Sequence, residues 1–456
     1  MALPNRPSAD PQHPSAAEDM AQDSLIAALR GSAPYIHAHR GRTFVLVFGG
    51  EAARRGNFAN LMYDIALLHS LGVRIVLVHG ARPQIDDAIK AAGLTPQIVD
   101  NVRVTDDDAL ACVKSAVGAL RMEIESLLST GLASTPMAGA RLRVTGGNLV
   151  TAKPMGVLHG VDHRHTGEVR RVDTQAIEQA LQQGQLVLLS PVGYSPTGEI
   201  FNLFAENVAA EAAKALRADK LVFLHEDAEL HVRHPDCPPQ LQTDEAVALL
   251  SDNAALTADE RAHLAAAVDV CRHGVRRTHL VSSAADGALL RELYTRDGAG
   301  TLISADSYDT LRQAGIEDAG SLMALIQPLQ ASGALVPRTP EQLELEIDRY
   351  AVMLRDGMII ACCALMPYPE QGTGELACVA VHPDYRHAGR AERLLAEIEK
   401  QARAAGLSRI FVLTTKATHW FVERGFLPAQ VSDLPLARQQ LYNFQRNSKV
   451  LIKTLA

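Results

Sequence analysis

The sequence predicts an α/β chain made of two unlike domains, an open, mainly parallel sheet followed by a smaller mixed sheet. Three observations carry this. The apolar runs 44–48 (FVLVF) and 74–78 (RIVLV) flank a stretch, 60–72, whose Leu61, Ile65, Leu68 and Leu71 recur at the helical period. Strand, helix and second buried strand make a βαβ unit, and hence a parallel sheet covered on both faces. Farther on, runs 350–354 and 358–365 flank Asp356-Gly357, a hairpin signal that belongs to antiparallel structure. Finally, 456 residues are too many for one ordinary core at about 150 residues per domain.

Taken in order, residues 1–23 are rich in Pro, Ala, Ser and Asp without periodicity and read as a flexible tail. Residues 24–30, closed by Gly31, read as a short helix with a glycine stop. Runs 186–190, 221–225 and 279–282, with a helical stretch at 205–216, extend the parallel sheet. The first domain therefore spans 24–303. After Gly298-Ala-Gly300 the texture changes. Residues 318–330 place Leu322, Leu325, Ile326 and Leu329 on one helical face, with Gly333 as a stop. Thr339-Pro-Glu-Gln342 is a capping-box start. Strand 375–381, a loop, the amphipathic helix 391–405 and strand 410–413 complete a second domain, 308–456.

Composition narrows the function classes. Hydrophobic residues make up 47% and charged residues 21%, a packed chain rather than a disordered one. A net charge of −8 argues against nucleic-acid binding, which needs a basic face. No apolar run approaches the ~20 residues of a membrane span, and MALPNRPSAD lacks the apolar core of a secretory signal. Six cysteines at no ligand or ladder spacing point to a reducing cytoplasm. His159, His163 and His165 share a loop with no Cys or acidic set beside them, so no metal is expected. Cys362, Cys363 and Cys378 read as packing residues.

The chemistry lies between strand 375–381 and helix 391–405, in Arg386-His387-Ala-Gly389-Arg390-Ala391. Small residues at 389 and 391 let backbone N–H groups approach a phosphate, and the helix beginning there adds the positive end of its dipole. Arg386 and Arg390 can add charge-assisted bonds, so the loop suits a pyrophosphate. Hairpin, strand, this loop, helix, strand 410–413 and Trp420-Phe-Val-Glu-Arg-Gly-Phe426 together resemble the GNAT superfamily of acetyl-CoA-dependent N-acetyltransferases. The resemblance implies that Arg386, His387, Gly389, Arg390 and Ala391 hold the coenzyme A pyrophosphate. It implies too that Val379 and Val381 line a cleft where the strand parts from its neighbour. A neutral amine must attack the thioester, so a carboxylate at the cleft is useful as base; Glu375, at the head of the strand, has the position. The family's usual Tyr, four residues before Gly425, is Phe421 here, which leaves Thr414 or a water to protonate the departing thiolate.

In the first domain, Gly49-Gly50, His79-Gly80, Gly147–Lys153 and Gly198–Asn202 resemble the amino acid kinase family. The departures weigh more than the matches. The family's phosphate-pulling Lys falls on Val47, Ala81-Arg82-Pro83 follows His79-Gly80 where glycines are usual, and Asn202-Leu-Phe-Ala-Glu206 breaks the Asn-x-Asn-x-Asp pattern. Loss of that Lys and two loop glycines removes most of a phosphoryl-transfer mechanism.

A kinase-like domain without kinase residues, fused to a GNAT domain and ending in Leu441–Lys449, resembles the bacterial N-acetylglutamate synthase family of amino-acid N-acetyltransferases. The resemblance implies transfer of acetyl from acetyl-CoA to the α-amine of L-glutamate, inhibited by L-arginine. Family positions place Arg338, Arg446 and Ser448 on the substrate, and Glu292 with Gly298 and Gly300 on the arginine. They also imply a homo-oligomer, a hexameric ring being the form expected. Two alternatives remain open on the residues alone: an acetyltransferase for another amino acid, and an N-acetylglutamate kinase-type phosphotransferase.

Overall fold

The computed structural model describes residues 16–130, 137–227, 230–235, 237–252, 256–295, 297–305, 309–355, 357–386, 389–443 and 445–455. The chain divides into two compact units, Met1–Asp306 and Ser307–Ala456.

In the first unit an eight-stranded sheet runs in the order Gln240–Gln242, Thr301–Ser304, Arg277–Ser282, Lys220–His225, Thr43–Phe48, Arg74–His79, Leu186–Leu189, Val144–Thr145. Neighbours are parallel except Arg277–Ser282 against Thr301–Ser304. The central strands read as continuous apolar runs because both faces are covered. Val45, Val47, Val76, Val78, Leu221 and Phe223 join one core, while Phe44, Leu46, Phe48, Ile75, Leu77 and Leu224 join the other. The open, mainly parallel sheet expected from the sequence is therefore present. A second sheet of four short strands, Ile200–Asn202, Val192–Tyr194, Val150–Pro154 and Gly167–Val172, was not anticipated.

The short helix expected at 24–30 is corrected. One helix runs Ala16–His39, through Gly31 and Pro34, and so begins inside the segment read as a tail; residues 1–15 lie outside the described residues. Tertiary packing overrides the two local breakers at its C-terminal end. Tyr35 and Ile36 pack on the core, and buried His39 donates from Nε2 to Leu293 O at 2.8 Å.

Buried His79 ends the second strand. Its Nδ1 donates to Gly80 O at 3.2 Å and its Nε2 accepts from Ser190 Oγ at 2.9 Å. Burial pushes its pKa from 6.5 down to about 4. The unfolded chain thus takes up a proton at this residue before the folded chain does, and stability is lost as pH falls from about 6.5 to about 4. The urea midpoint should decline across that window, and less steeply in a His79→Gln variant.

In the second unit a seven-stranded sheet runs Thr310–Gln313, Tyr350–Arg355, Met358–Tyr368, Thr373–Val381, Arg409–Thr414, Lys449–Thr454, Leu427–Ala429. Every pairing is antiparallel but that of Thr373–Val381 with Arg409–Thr414. This is the mixed sheet the sequence predicts. Helix Arg390–Ala404 covers one face, with Leu394, Leu395 and Ile398 buried against Ile360 and Leu376. Helix Ala319–Ala331 covers the other through Leu322, Leu325 and Ile326. The capping box at Thr339 forms as its sequence indicates, the Thr339 side chain accepting from Gln342 N at 3.2 Å.

Candidate active site

The parallel pairing that marks the site is short. Thr373, Gly374 and Glu375 pair with Arg409, Ile410 and Phe411, and there the ladder stops. From residue 376 onward no pairing joins the two strands, so the backbone edge of 376–381 on that side lacks a ladder partner. At Cys378 the strand bulges, with φ at +51°. Val379 and Val381, expected to line the cleft, lie on this parted stretch and are partly buried.

Past the strand, the loop closes on Gly389, whose φ of +65° is left-handed and caps the 15-residue helix Arg390–Ala404. Gly389 has open space around a would-be Cβ, so backbone conformation is what its glycine serves. Ala391 sits in the first turn, where amide N–H groups lack intrahelical partners. Arg386 is exposed beside them; His387 lies outside the described residues.

Arg390 requires a correction. Its guanidinium turns into the unit, with Nε on Asp309 Oδ2 at 2.7 Å and Nη1 donating to Tyr385 O at 2.8 Å. Arg355 Nε takes the other oxygen of Asp309 at 3.0 Å. A carboxylate only 7% exposed needs opposite charge beside it, and two arginines supply that. The side chain of Arg390 thus positions the loop, and only its backbone remains for an anion.

Glu375 stands where the strand pairing ends, and no motif in the sequence points to its partner. Arg438, on the short helix Leu436–Gln440, donates to it bidentately, Nε to Oε2 at 2.7 Å and Nη2 to Oε1 at 3.1 Å. Their side chains are 15% and 12% exposed. Burial works against the Arg438 charge, yet the bonds to Glu375 outweigh it and raise its pKa. Thr414 ends the neighbouring strand, roughly 10 Å along from the last paired residue at 3.3 Å per residue. Its Oγ1 accepts from Ala417 N at 3.0 Å, which leaves the hydroxyl proton to donate. Phe421 is packed edge-on against Phe426 in the core.

The three residues expected on substrate lie around the same strands. Arg338 bonds Glu346 through Nη1 at 2.6 Å and stands 5.8 Å from the Tyr350 ring. Its charge, together with a hydrogen bond from the Cys362 thiol, which acts first, lowers the pKa of Cys378. Arg446 donates from Nη2 to Ala334 O at 2.6 Å, and its buried Nε has no partner among the described residues. Ser448 is buried and adjoins Lys449, which pairs with Thr414.

In the kinase-like unit the structure differs from expectation. Glu292 was expected to face an arginine, with Gly298 and Gly300 offering their loop to its carboxylate. Instead His279 Nδ1 donates to Glu292 Oε1 at 2.5 Å, and Ala299 N and Gly300 N both donate to Oε2 at 2.7 Å. Lys220 Nζ meets His279 Nε2 at 3.2 Å. Burial alone would raise the carboxyl, but the His279 bond and the two amides hold it down at about 2. A buried carboxylate must have its lone pairs satisfied, and here the loop satisfies them. The glycines allow the approach: a Cβ on Gly298 would stand 2.6 Å from Glu292 Oε2, and one on Gly300 would stand 2.3 Å from Leu280 O. Lys220 and His279 were missed, although a charged residue opening one apolar strand and a His inside another were the available signals.

A parallel strand pair that parts beside a glycine-capped helix N-terminus is the acyl-donor site of a GNAT-type N-acyltransferase. Comparison with known proteins agrees: residues 42–282 match the amino acid kinase family and residues 322–426 the acetyltransferase (GNAT) family. The amino-acid acetyltransferases of Ectopseudomonas mendocina (strain ymp) and Azotobacter vinelandii are each 53% identical over 428 residues, covering 94% of this chain and 98% of theirs. The crystal structure of N-acetylglutamate synthase from Neisseria gonorrhoeae with coenzyme A and L-arginine superposes with a TM-score of 0.84 at 36% identity, over 94% of this chain and 99% of that one. The same enzyme with coenzyme A and N-acetyl-glutamate gives a TM-score of 0.59 at 37% identity, with the same coverage. The chain belongs to the amino-acid acetyltransferase family, and it is an acyltransferase.

Proposed function

We propose that the chain transfers the acetyl group of acetyl-CoA to the α-amine of L-glutamate, giving N-acetyl-L-glutamate and CoA, the first step of arginine biosynthesis, and that L-arginine inhibits it through the kinase-like unit. The observation that carries the proposal is the ladder that stops at Glu375, which sets a carboxylate, paired with Arg438, where the two strands cease to pair. Coenzyme A, L-arginine and N-acetyl-glutamate, bound in the Neisseria structures, support the same choice.

The residues fit an acetyl-CoA of this kind. Exposed Arg386 and the first-turn amides of Gly389–Ala391 suit its pyrophosphate, and the unpaired edge of 376–381 suits the extended pantetheine and the thioester carbonyl. When bound, acetyl-CoA supplies the activated acyl carbon. A carboxylate of glutamate can replace Glu375 on the fork of Arg438, because a guanidinium binds either bidentately. That exchange frees Glu375 to take the ammonium proton, directly or through a water, so the base becomes available only once substrate is seated. Backbone N–H groups near residues 378–380 stabilise the developing oxyanion. Thr414 donates its proton to the departing thiolate.

Arg386→Ala is expected to raise the KM for acetyl-CoA about 5- to 20-fold with kcat nearly unchanged, since loss of one charged contact is worth roughly 1–2 kcal/mol. The substrate assignment is tested by Arg338→Ala and Arg446→Ala, each of which should raise the KM for L-glutamate at least about tenfold. An unchanged KM in both would remove these residues from the glutamate site.

Among the described residues no helix is long and apolar enough to cross a membrane, and the proposed location is the cytoplasm. Leu25, Ile26 and Leu29 project exposed from helix Ala16–His39. This supports assembly into a homo-oligomer, with a hexamer expected; light scattering of the purified chain measures it.

A further inference from the structure

We propose that Cys378 and Cys362 form a redox-modification site beside the acyl cleft: a hydroperoxide oxidises Cys378, and Cys362 closes the product into a disulfide that stops turnover. The two cysteines sit on neighbouring antiparallel strands, Thr373–Val381 and Met358–Tyr368. Cys362 is opposite Ala380, and Cys378 lies two residues before that partner. Both side chains join the cluster under helix Ala319–Ala331, together with Tyr350. In a regular ladder such diagonal neighbours stand about 7–8 Å apart, too far for the ~5.5–6 Å that a disulfide prefers between Cα atoms. The ladder is not regular here. The register shifts just after Cys362, and Cys378 takes a left-handed φ of +51°. Cys362 Sγ donates to Cys378 O at 3.5 Å, and the two thiols are within hydrogen-bond reach of each other.

The surroundings give the two sulfurs different roles. At Cys378 the hydrogen bond from the Cys362 thiol acts first, and the Arg338 charge and the Tyr350 hydroxyl add to it, so the pKa is lowered in spite of burial. Thiolate character of this kind, beside an arginine, marks a reactive cysteine. Tyr350 is 0% exposed, and its hydroxyl has no hydrogen-bond partner among the described residues. A buried hydroxyl needs an acceptor, and a thiolate or the oxygen of a sulfenic acid at Cys378 provides one. At Cys362 the same hydrogen bond, with burial, pushes the thiol well up, so it keeps its proton in reserve. Cys378 is also the partly exposed member of the pair, while Cys362 is buried. Adjacent Cys363 does not compete, because it packs on the opposite face of the sheet, with Sγ 3.8 Å from Leu394 O. Cys112, Cys237 and Cys271 belong to the first unit.

The chemistry balances in two steps. The Cys378 thiolate attacks one oxygen of the hydroperoxide, the O–O bond breaks, and hydroxide or alkoxide leaves, giving a sulfenic acid. The Cys362 sulfur then displaces the sulfenic hydroxyl, an S–S bond replaces the S–O bond, and the thiol proton leaves with the hydroxyl as water. The two thiols lose two electrons and the peroxide gains them. Small thiols reverse the link, as suits a disulfide formed in a reducing compartment. The effect on turnover rests on the acetyl-transfer reading, in which backbone N–H groups near residues 378–380 face the thioester carbonyl. The thiol chemistry does not depend on that reading.

The test treats the reduced full chain with excess hydrogen peroxide. Peptide mapping without reductant should find one link, Cys362 to Cys378, and CoA release with L-glutamate should fall at least about tenfold, to be restored by dithiothreitol. In Cys362→Ala the sulfenic acid should persist at Cys378 and be trapped by dimedone. In Cys378→Ser neither the link nor the trapped adduct should form. Because Cys362 is buried and its replacement can unfold the unit, mapping of the unsubstituted chain decides if a variant fails to fold. A chain inactive with glutamate before treatment fails the acetyl-transfer reading alone, since mapping still reads the thiols. Absence of the Cys362–Cys378 link, a link that leaves turnover unchanged, or peroxide inactivation that persists in Cys378→Ser would overturn the proposal.

Discussion

Glu375→Gln is expected to lower kcat by about 10²- to 10⁴-fold, the usual contribution of a positioned general base. The amide keeps the volume and can still pair with Arg438, so the fold and acetyl-CoA binding should survive; the KM for acetyl-CoA should move less than about threefold. The loss should also shrink as pH rises toward the amine's own pKa, because glutamate then arrives already deprotonated. Turnover that is unchanged, or reduced equally at every pH, would reject the base assignment. Arg438→Ala gives a complementary reading. It frees Glu375 without substrate, so the KM for L-glutamate should rise while slow, acceptor-independent release of CoA appears.

The second large effect concerns stability. Asp309→Leu should destabilise the acetyltransferase unit by about 3–5 kcal/mol, because it removes the carboxylate that two buried guanidinium groups share. Arg355 and Arg390 are only 9% and 8% exposed at their side chains. Trp420 is the chain's single tryptophan, and it packs edge-on against Phe421 at 4.9 Å. Its fluorescence therefore reports this unit during urea unfolding. A midpoint shift worth less than about 1 kcal/mol would show the network to be a surface ion pair in energetic terms. Arg390→Ala should likewise lower stability, whereas Arg386→Ala should alter acetyl-CoA binding alone. That contrast separates two arginines four residues apart.

These two arginines also show where the sequence stops informing. Gly389 was legible as a small residue opening an amphipathic helix after a basic loop, whereas its left-handed cap conformation appears only in the folded chain. Burial was not legible. Arg390 differs from Arg386 only in facing Asp309, 81 residues earlier, and nothing local encodes that pairing. Glu375 and Arg438 are likewise 63 residues apart, and Arg438 sits in a five-residue helix with no motif around it. The parallel core could be read because strands buried on both faces are unbroken apolar runs. Gly167–Val172, with sequence GEVRRV, has Gly167 and Val172 buried and an exposed Arg-Arg pair between, so it offers neither a run nor a clean alternation. Helix Ala16–His39 was hidden by Gly31 and Pro34, whose local cost is offset by contacts of Tyr35, Ile36 and His39 that only the folded chain reveals.

The Glu292 cluster shows a different kind of mismatch. Residue and loop are placed together as expected, but they satisfy each other. His279, held as a neutral ring with a pKa of about 4 by burial and by the Lys220 charge, donates to Glu292, which is held at about 2. Any arginine bound there must enter by exchanging with one of these partners, which gives the loop at 298–300 a reason to move when the effector arrives.

Glutamate acetylation under arginine control is open to a single assay. CoA release from acetyl-CoA is followed with each of the common amino acids as acceptor, with and without L-arginine. Turnover with L-glutamate should exceed that with any other acceptor at least about 100-fold, since two carboxylates are held by charge-assisted bonds, and it should fall when L-arginine is added. Release that shows no preference for glutamate, or none with any amino acid, would contradict it.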